Sequence, residues 1–197
     1  QRRASAIIAV MRKEYRSLRR RPFLTPVWIF AWIGLAVLVA AGWAVLAAST
    51  TIVVVTRHAE KAPDPGDDAP LSPLGEARAQ RLAGVLGAAG REHAVDAIYV
   101  TQWRRTAQTA RPLATRLSIP VTPVPADDLR ALERRVLAEH RGGRVLVVAH
   151  SNTVPELVRL FADGGDYAPV ADDEYGTAYV VAIPRWSRPA VLRMQLP

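Results

Sequence analysis

The chain has 197 residues, half of them hydrophobic and 22% charged, which excludes a disordered chain and leaves room for one ordinary domain plus an appendage. It contains no cysteine, so disulfide frameworks, thiolate zinc sites and cysteine nucleophiles are excluded together. Its formal net charge is +8, but Arg2, Arg3, Arg12, Lys13, Arg16, Arg19, Arg20 and Arg21 against Glu14 place +7 of it in residues 1–22, so the remainder makes no electrostatic claim on nucleic acid.

In chain order, the basic segment is followed by Val27 to Ala48, 22 residues without a strongly polar side chain. About 20 such residues cross a bilayer core as a helix, and Trp28, Trp32 and Trp43 are placed as interfacial anchors. The sequence therefore divides into a basic cytoplasmic tail (1–22), a transmembrane signal anchor (23–49) and a catalytic domain (50–197). The positive-inside rule keeps the arginine cluster in the cytoplasm and sends the domain across the membrane, to a periplasmic or extracellular location. Two readings compete with this: a buried core helix, and a signal peptide cut at Val45-Leu46-Ala47 or Leu46-Ala47-Ala48, which would release a soluble secreted domain. With Gln1 first, the natural start lies upstream or at Met11.

From Thr50 onward, short β-branched runs alternate with helical stretches, the signature of an α/β sheet. Thr51 to Val55 reads as a buried strand. Ser72 and Pro73 read as the N-cap and first position of a helix whose apolar face takes Leu74, Ala77, Leu82, Val85 and Leu86, with Gly90 as its end. Ala62 to Pro70 between them reads as an exposed, turn-rich loop. A strand at Ala97 to Val100 and a helix over about 105–117 follow. Ile119 to Val124 has two prolines, which confine it to a sheet edge or an irregular strand. Leu129, Leu132 and Val136 share a helix face ended by Gly142-Gly143; then come a strand at Arg144 to Ala149, a helix over about 154–161, a strand at Tyr179 to Ile183 and an apolar run near Val191. The fold class expected is α/β, a three-layer sandwich with a mostly parallel central sheet flanked by helices, preceded by one transmembrane helix.

Ligands of open α/β sheets collect at the carboxyl ends of strands. Here those ends read Thr56-Arg57-His58-Ala59-Glu60-Lys61, Thr101-Gln102-Trp103-Arg104-Arg105-Thr106 and Ala149-His150-Ser151-Asn152-Thr153. Two histidines with arginines suit a phosphoryl group: arginine grips phosphate oxygens in pairs, one imidazole attacks phosphorus, and a second, protonated, stabilises the charge that builds up. The sequence contains no P-loop, acidic metal cage or His-x-x-x-His element, so no metal and no cofactor is expected.

These segments resemble the histidine phosphatase superfamily, which includes the phosphoglycerate mutases and small phosphohistidine phosphatases, over nearly all of residues 50–197. Thr56-Arg57-His58-Ala59 is similar to its Arg-His-Gly signature, with alanine for glycine. Leu71-Ser72-Pro73-Leu74-Gly75 is similar to its next helix start, Arg105-Thr106-Ala107-Gln108-Thr109-Ala110 to its second arginine element, and Val148 to Thr153 to the segment with its second histidine. The resemblance implies that His58 is a nucleophile forming a phosphohistidine, with Arg57, Arg105 and His150 around the phosphate. It does not assign the general acid. Ser151 stands where one branch of the family has an aspartate, which turns attention to Asp127 and Asp128, with Glu60 and Glu156 behind them; acids at a helix start also serve as caps. Arg104, Lys61 and Trp103 are read as rim residues.

The function expected is a membrane-anchored, metal-independent phosphatase hydrolysing a phosphomonoester or phosphohistidine on a small molecule, an envelope component or a phosphoprotein. The alternatives are an idle phosphate-pocket binding module of the same fold and a mutase-type phosphotransferase. The mutase is disfavoured by the lack of long insertions.

Overall fold

The computed structural model describes residues 25–48, 50–64, 66–88 and 94–196, in two compact units divided near residue 45. The expected basic tail, residues 1–22, and the expected helix end at Gly90 lie outside the described residues. The first unit contributes helix α1 (Thr25–Ala48). Its stretch Trp28–Val45 is long and apolar enough to cross a membrane, and none of its side chains is buried.

The second unit runs β1 (Thr51–Arg57), α2 (Pro73–Leu86), β2 (Ala97–Thr101), α3 (Arg104–Leu117), β3 (Val121–Val124), α4 (Leu129–Glu139), β4 (Arg144–Ala149), α5 (Thr153–Phe161), β5 (Thr177–Ile183) and β6 (Ala190–Gln195). The six strands form one sheet in the order β3-β2-β4-β1-β5-β6. The first four are parallel, and β5 and β6 add an antiparallel edge. β1 and β4 lie mid-sheet and are apolar through their centres, Ile52 to Val55 and Val145 to Ala149, as strands covered on both faces must be. β3, with Pro123, is an edge strand, where a residue without an N–H is tolerated.

The two faces of the sheet bury separate cores. Val53, Val55, Val145 and Val147 pack with Leu132 and Val136 of α4 and Leu157 and Phe161 of α5. Val54, Ile98, Val100, Leu146 and Val148 pack with Leu82 and Ala83 of α2 and Leu113 of α3. This is the expected three-layer arrangement of a mostly parallel sheet flanked by helices.

Helix α2 is rotated from the face read in the sequence. Leu74 and Val85 are 58% and 42% exposed, and the buried stripe is Gly75, Ala79, Leu82 and Ala83. The cause is Gly75: a Cβ there would stand 2.2 Å from the Glu60 carbonyl oxygen, so only glycine lets the helix start this close to the segment after β1. Ser72 completes the junction. Its side chain accepts from the Gly75 N–H and its own N–H donates to the Glu60 carbonyl. The helix stops at Leu86 with Gly87 as C-cap.

Two glycine substitutions in α2 should therefore have opposite signs. Gly75→Ala forces the Glu60 backbone aside and is expected to destabilise by about 2 kcal/mol or more. Gly84→Ala meets nothing within 4 Å and should stabilise by about 0.5–1 kcal/mol through helix propensity. Thermal unfolding of the two variants checks the pair.

Candidate active site

Parallel β1, β2 and β4 end at one edge of the sheet, and their tips bring Arg57, His58, Arg105 and His150 into one pocket, lined also by Lys61, Ser151, Asn152 and Asp172. His58 is 5% and Arg57 7% exposed, which makes them the floor.

The backbone selects the working nitrogen of His58. Nδ1 lies 2.7 Å from the Ala59 carbonyl oxygen; a carbonyl only accepts, so Nδ1 carries the proton and Nε2 keeps its lone pair. Arg105 Nε donates to that Nε2 at 3.3 Å. Burial, together with the nearby His150, Arg105 and Arg57, lowers the His58 pKa from 6.5 to about 3, against the raising effect of the Ala59 bond. His58 is thus a neutral, oriented imidazole whose Nε2 lone pair faces Arg105 and the pocket.

His150 is 5.3 Å from His58, ring centre to ring centre. Its Nε2 lies 2.8 Å from Thr101 Oγ1, which donates to Thr106 Oγ1. Nδ1 is the ring nitrogen of His150 left without a hydrogen-bond partner among the described residues, whichever member of the Thr101 pair donates. Burial first, then Arg105 and Arg57, lowers its pKa to about 4. A bound phosphate would offset the two arginines and favour a proton on His150.

Each arginine has a built seat. Arg57 donates from Nη1 to the carbonyls of Ala171 and Glu174, at 2.7 and 3.3 Å, and stacks over Tyr175 at 4.3 Å. Its buried Nε has no acceptor among the described residues. Such a donor is costly to leave unpaired and suits an anionic oxygen. Arg105 donates from Nη1 to the Asp67 carbonyl and stacks over Trp103 at 4.9 Å. Asp68 accepts from the Arg104 N–H. The loop between β1 and α2 therefore grips the start of α3; within the stretch read as exposed, Ala62 to Pro70, Ala69 is buried.

The threonines of the arginine element tie the strand tips together. Thr109 accepts from the Ala59 N–H and donates to the Arg105 carbonyl, and Gln108 accepts from the Leu71 N–H. Thr153 accepts from the His150 N–H. Removing any of these leaves a buried or part-buried N–H unsatisfied beside the site.

Neither Asp127 nor Asp128 lines the pocket, and Asp128 is the N-cap of α4, accepting from the Ala131 N–H. Glu60 is committed to Arg78 through Nε and Nη2. Burial favours its protonated form, but the hydrogen bonds and charge of Arg78 outweigh that and keep its pKa below the ordinary value. Arg104 is exposed and outside the pocket, whereas Lys61 lines it. The carboxylate in the pocket is Asp172, which sequence reading missed. It accepts from Ser151 Oγ at 3.2 Å and lies 3.7 Å from Arg57 Nη2, with its side chain 95% exposed at the mouth. Among the described residues no three His, Asp or Glu side chains form a group able to hold a metal.

The two lowered histidines have a pH signature. In the free protein neither imidazole should titrate between pH 5 and 8, and NMR of the ring protons checks this; a midpoint near 6.5 for either ring would contradict the buried, arginine-flanked geometry. Stability follows by linkage. The unfolded chain, with histidines near 6.5, binds more protons than the folded one between that value and about 3 to 4. The histidine contribution therefore falls as pH drops through that window and is level above it.

The sequence of residues 53–130, which contains Arg57, His58 and Arg105, matches the family model of the histidine phosphatase superfamily (branch 1). No curated protein matches the chain. Among solved structures, the chain is similar to the protein histidine phosphatase SixA complexed with tungstate, at 20% identity over 73% of this chain and 96% of that one, with a TM-score of 0.60. It is also similar to mycobacterial glucosyl-3-phosphoglycerate phosphatase, at 17% identity over 75% of this chain and all of that one, with a TM-score of 0.60. At these identities the likeness is one of fold: a mixed six-stranded α/β sheet flanked by helices.

Proposed function

We propose that this chain is a phosphatase that hydrolyses a phosphomonoester or phosphohistidine through a covalent phosphohistidine on His58, and that α1 holds it in a membrane. The observation that carries the chemistry is the His58 ring. Its Nε2 lone pair is exposed to the pocket by the Nδ1 bond to Ala59, with Arg57, Arg105 and His150 around it. The superfamily match over Arg57, His58 and Arg105 supports the same reading.

In the first step His58 Nε2 bonds to phosphorus and the bond from phosphorus to the leaving oxygen breaks. Arg57, Arg105 and protonated His150 hold the equatorial oxygens, where stabilisation of charge matters most. In-line attack from the floor sends the leaving oxygen towards the mouth, where Asp172, oriented by Ser151, gives it a proton. In the second step water attacks the phosphohistidine, Asp172 takes back a proton, and phosphate leaves with His58 neutral again. No step calls on a metal, so turnover should survive EDTA.

The proton donor has its own test. Asp172→Asn should slow hydrolysis of alkyl phosphates by about 10²-fold or more and leave p-nitrophenyl phosphate, whose leaving group needs no proton, within a few-fold. Equal losses on both would make Asp172 a binding residue and not the acid.

The membrane reading rests on α1, whose stretch Trp28–Val45 is long and apolar enough to cross a membrane, with its side chains exposed among the described residues. The arginines of residues 1–22 would stay cytoplasmic and place the domain outside. Protease protection in sealed membranes, with a reporter after Pro197, tests both anchoring and sidedness.

A further inference from the structure

The end of the sheet opposite the pocket has a surface of its own. β5 runs antiparallel to β1, with Ile183 opposite Thr51 and Ala178 opposite Thr56, so residues 184–189 turn at the end where β1 begins. This connection reads Pro184-Arg185-Trp186-Ser187-Arg188-Pro189, two arginines and no acid. Trp186 is 73% exposed, more than any other large hydrophobic residue among the described residues of this unit. The Arg185 guanidinium lies over its ring at 5.2 Å. On the other side of β1, Arg144 of β4 pairs in register with Ile52, and exposed Arg141 lies in the turn just before it.

An indole held out between arginines is poorly suited to water and well suited to a bilayer surface. Tryptophan rests at headgroup depth, and arginine meets anionic lipid. Chain connectivity supplies the second argument. α1 ends at Ala48 and β1 begins at Thr51; three Cα steps reach about 11 Å at most. If α1 spans a membrane, as read above, the lipid surface lies within that reach of Thr51, and the hairpin turns beside Thr51 on the neighbouring strand.

Resting on that reading of α1, we propose that the hairpin Arg185-Trp186-Ser187-Arg188 docks on an anionic lipid surface. Docking there points the pocket away from the bilayer, about 20 Å along the strands from the hairpin, so the site takes its phosphorylated substrate from the aqueous side and not from headgroups of the same membrane.

The absence of cysteine allows single nitroxide labels to be placed in the full chain. Ser187→Cys reports the hairpin without removing Trp186, Val37→Cys reports α1, and Asp173→Cys reports the pocket end. In nanodiscs of phosphatidylcholine and phosphatidylglycerol, the label at 187 should collide several-fold less with a water-soluble nickel chelate than the label at 173. Adding Trp186→Ala, Arg185→Gln and Arg188→Gln should abolish that protection. If 187 is as accessible as 173 while 37 is buried in lipid, the span stands and hairpin docking is overturned. If 37 is also open to the chelate, the span itself fails and the docking falls with it.

Discussion

His58→Ala should remove phosphatase turnover almost entirely, by at least about 10³-fold in kcat, and leave the fold intact. The magnitude follows from the role assigned to Nε2, because without it no covalent intermediate forms and only the phosphate-binding groups remain. The fold should survive because the substitution leaves the links between strand tips in place: the His58 N–H still donates to the Ala149 carbonyl and the Ala59 N–H to Thr109. Kinetics with p-nitrophenyl phosphate in EDTA, beside a thermal melt, measure both. A variant retaining more than a tenth of wild-type turnover would remove His58 from the mechanism.

Arg105→Ala should cost about 10²- to 10³-fold in kcat/KM, the range for losing one well-placed charge-stabilising group. Arg105→Lys should recover only part of it, because a point charge replaces the planar fork that reaches His58 Nε2 and the Asp67 carbonyl together and keeps a further N–H for a phosphate oxygen of the substrate. A second effect has a definite sign. Arg105 is among the charges that lower both His58 and His150, so its removal raises both pKa values. The neutral fraction of His58 at acid pH then falls, and the acid limb of the kcat/KM profile moves to higher pH. A loss under tenfold with an unmoved limb would mean that Arg105 is a rim residue. Arg105 is the cleaner choice over Arg57 because it is only partly buried, whereas removing Arg57 empties a seat formed by Ala171, Glu174 and Tyr175.

Much of this site was legible in the sequence because its parts are local. Each strand is a short β-branched run whose tip is readable from the residues after it, and the prolines of Ile119 to Val124 marked an edge strand. What the sequence left hidden depends on strand order. Nothing near Asp172 shows that β5 pairs with β1 and carries the segment before it, Ala171 to Gly176, onto the guanidinium of Arg57. The available signal was Gly176, held at φ +88° at the entry to β5, after the acidic run Asp172-Asp173-Glu174. Asp127 and Asp128 follow from the resemblance, in one branch of which a carboxylate lies between the second arginine and the second histidine, but a helix start has its own use for an aspartate. Trp103 stood in plain view at a strand tip, but its stacking on Arg105 follows from the loop geometry that also seats that arginine. The face of α2 was misread because hydrophobic periodicity gives weight to leucine and valine, while the contact that sets this helix is made by a glycine without a side chain.

The most direct measurement is to trap the intermediate. The full chain is incubated with phosphoramidate in EDTA, quenched in alkali and digested. The account predicts an alkali-stable, acid-labile phosphate on the peptide containing His58, absent from His58→Ala. Substrate turnover with no phosphate on His58, or with phosphate on another residue, would contradict it.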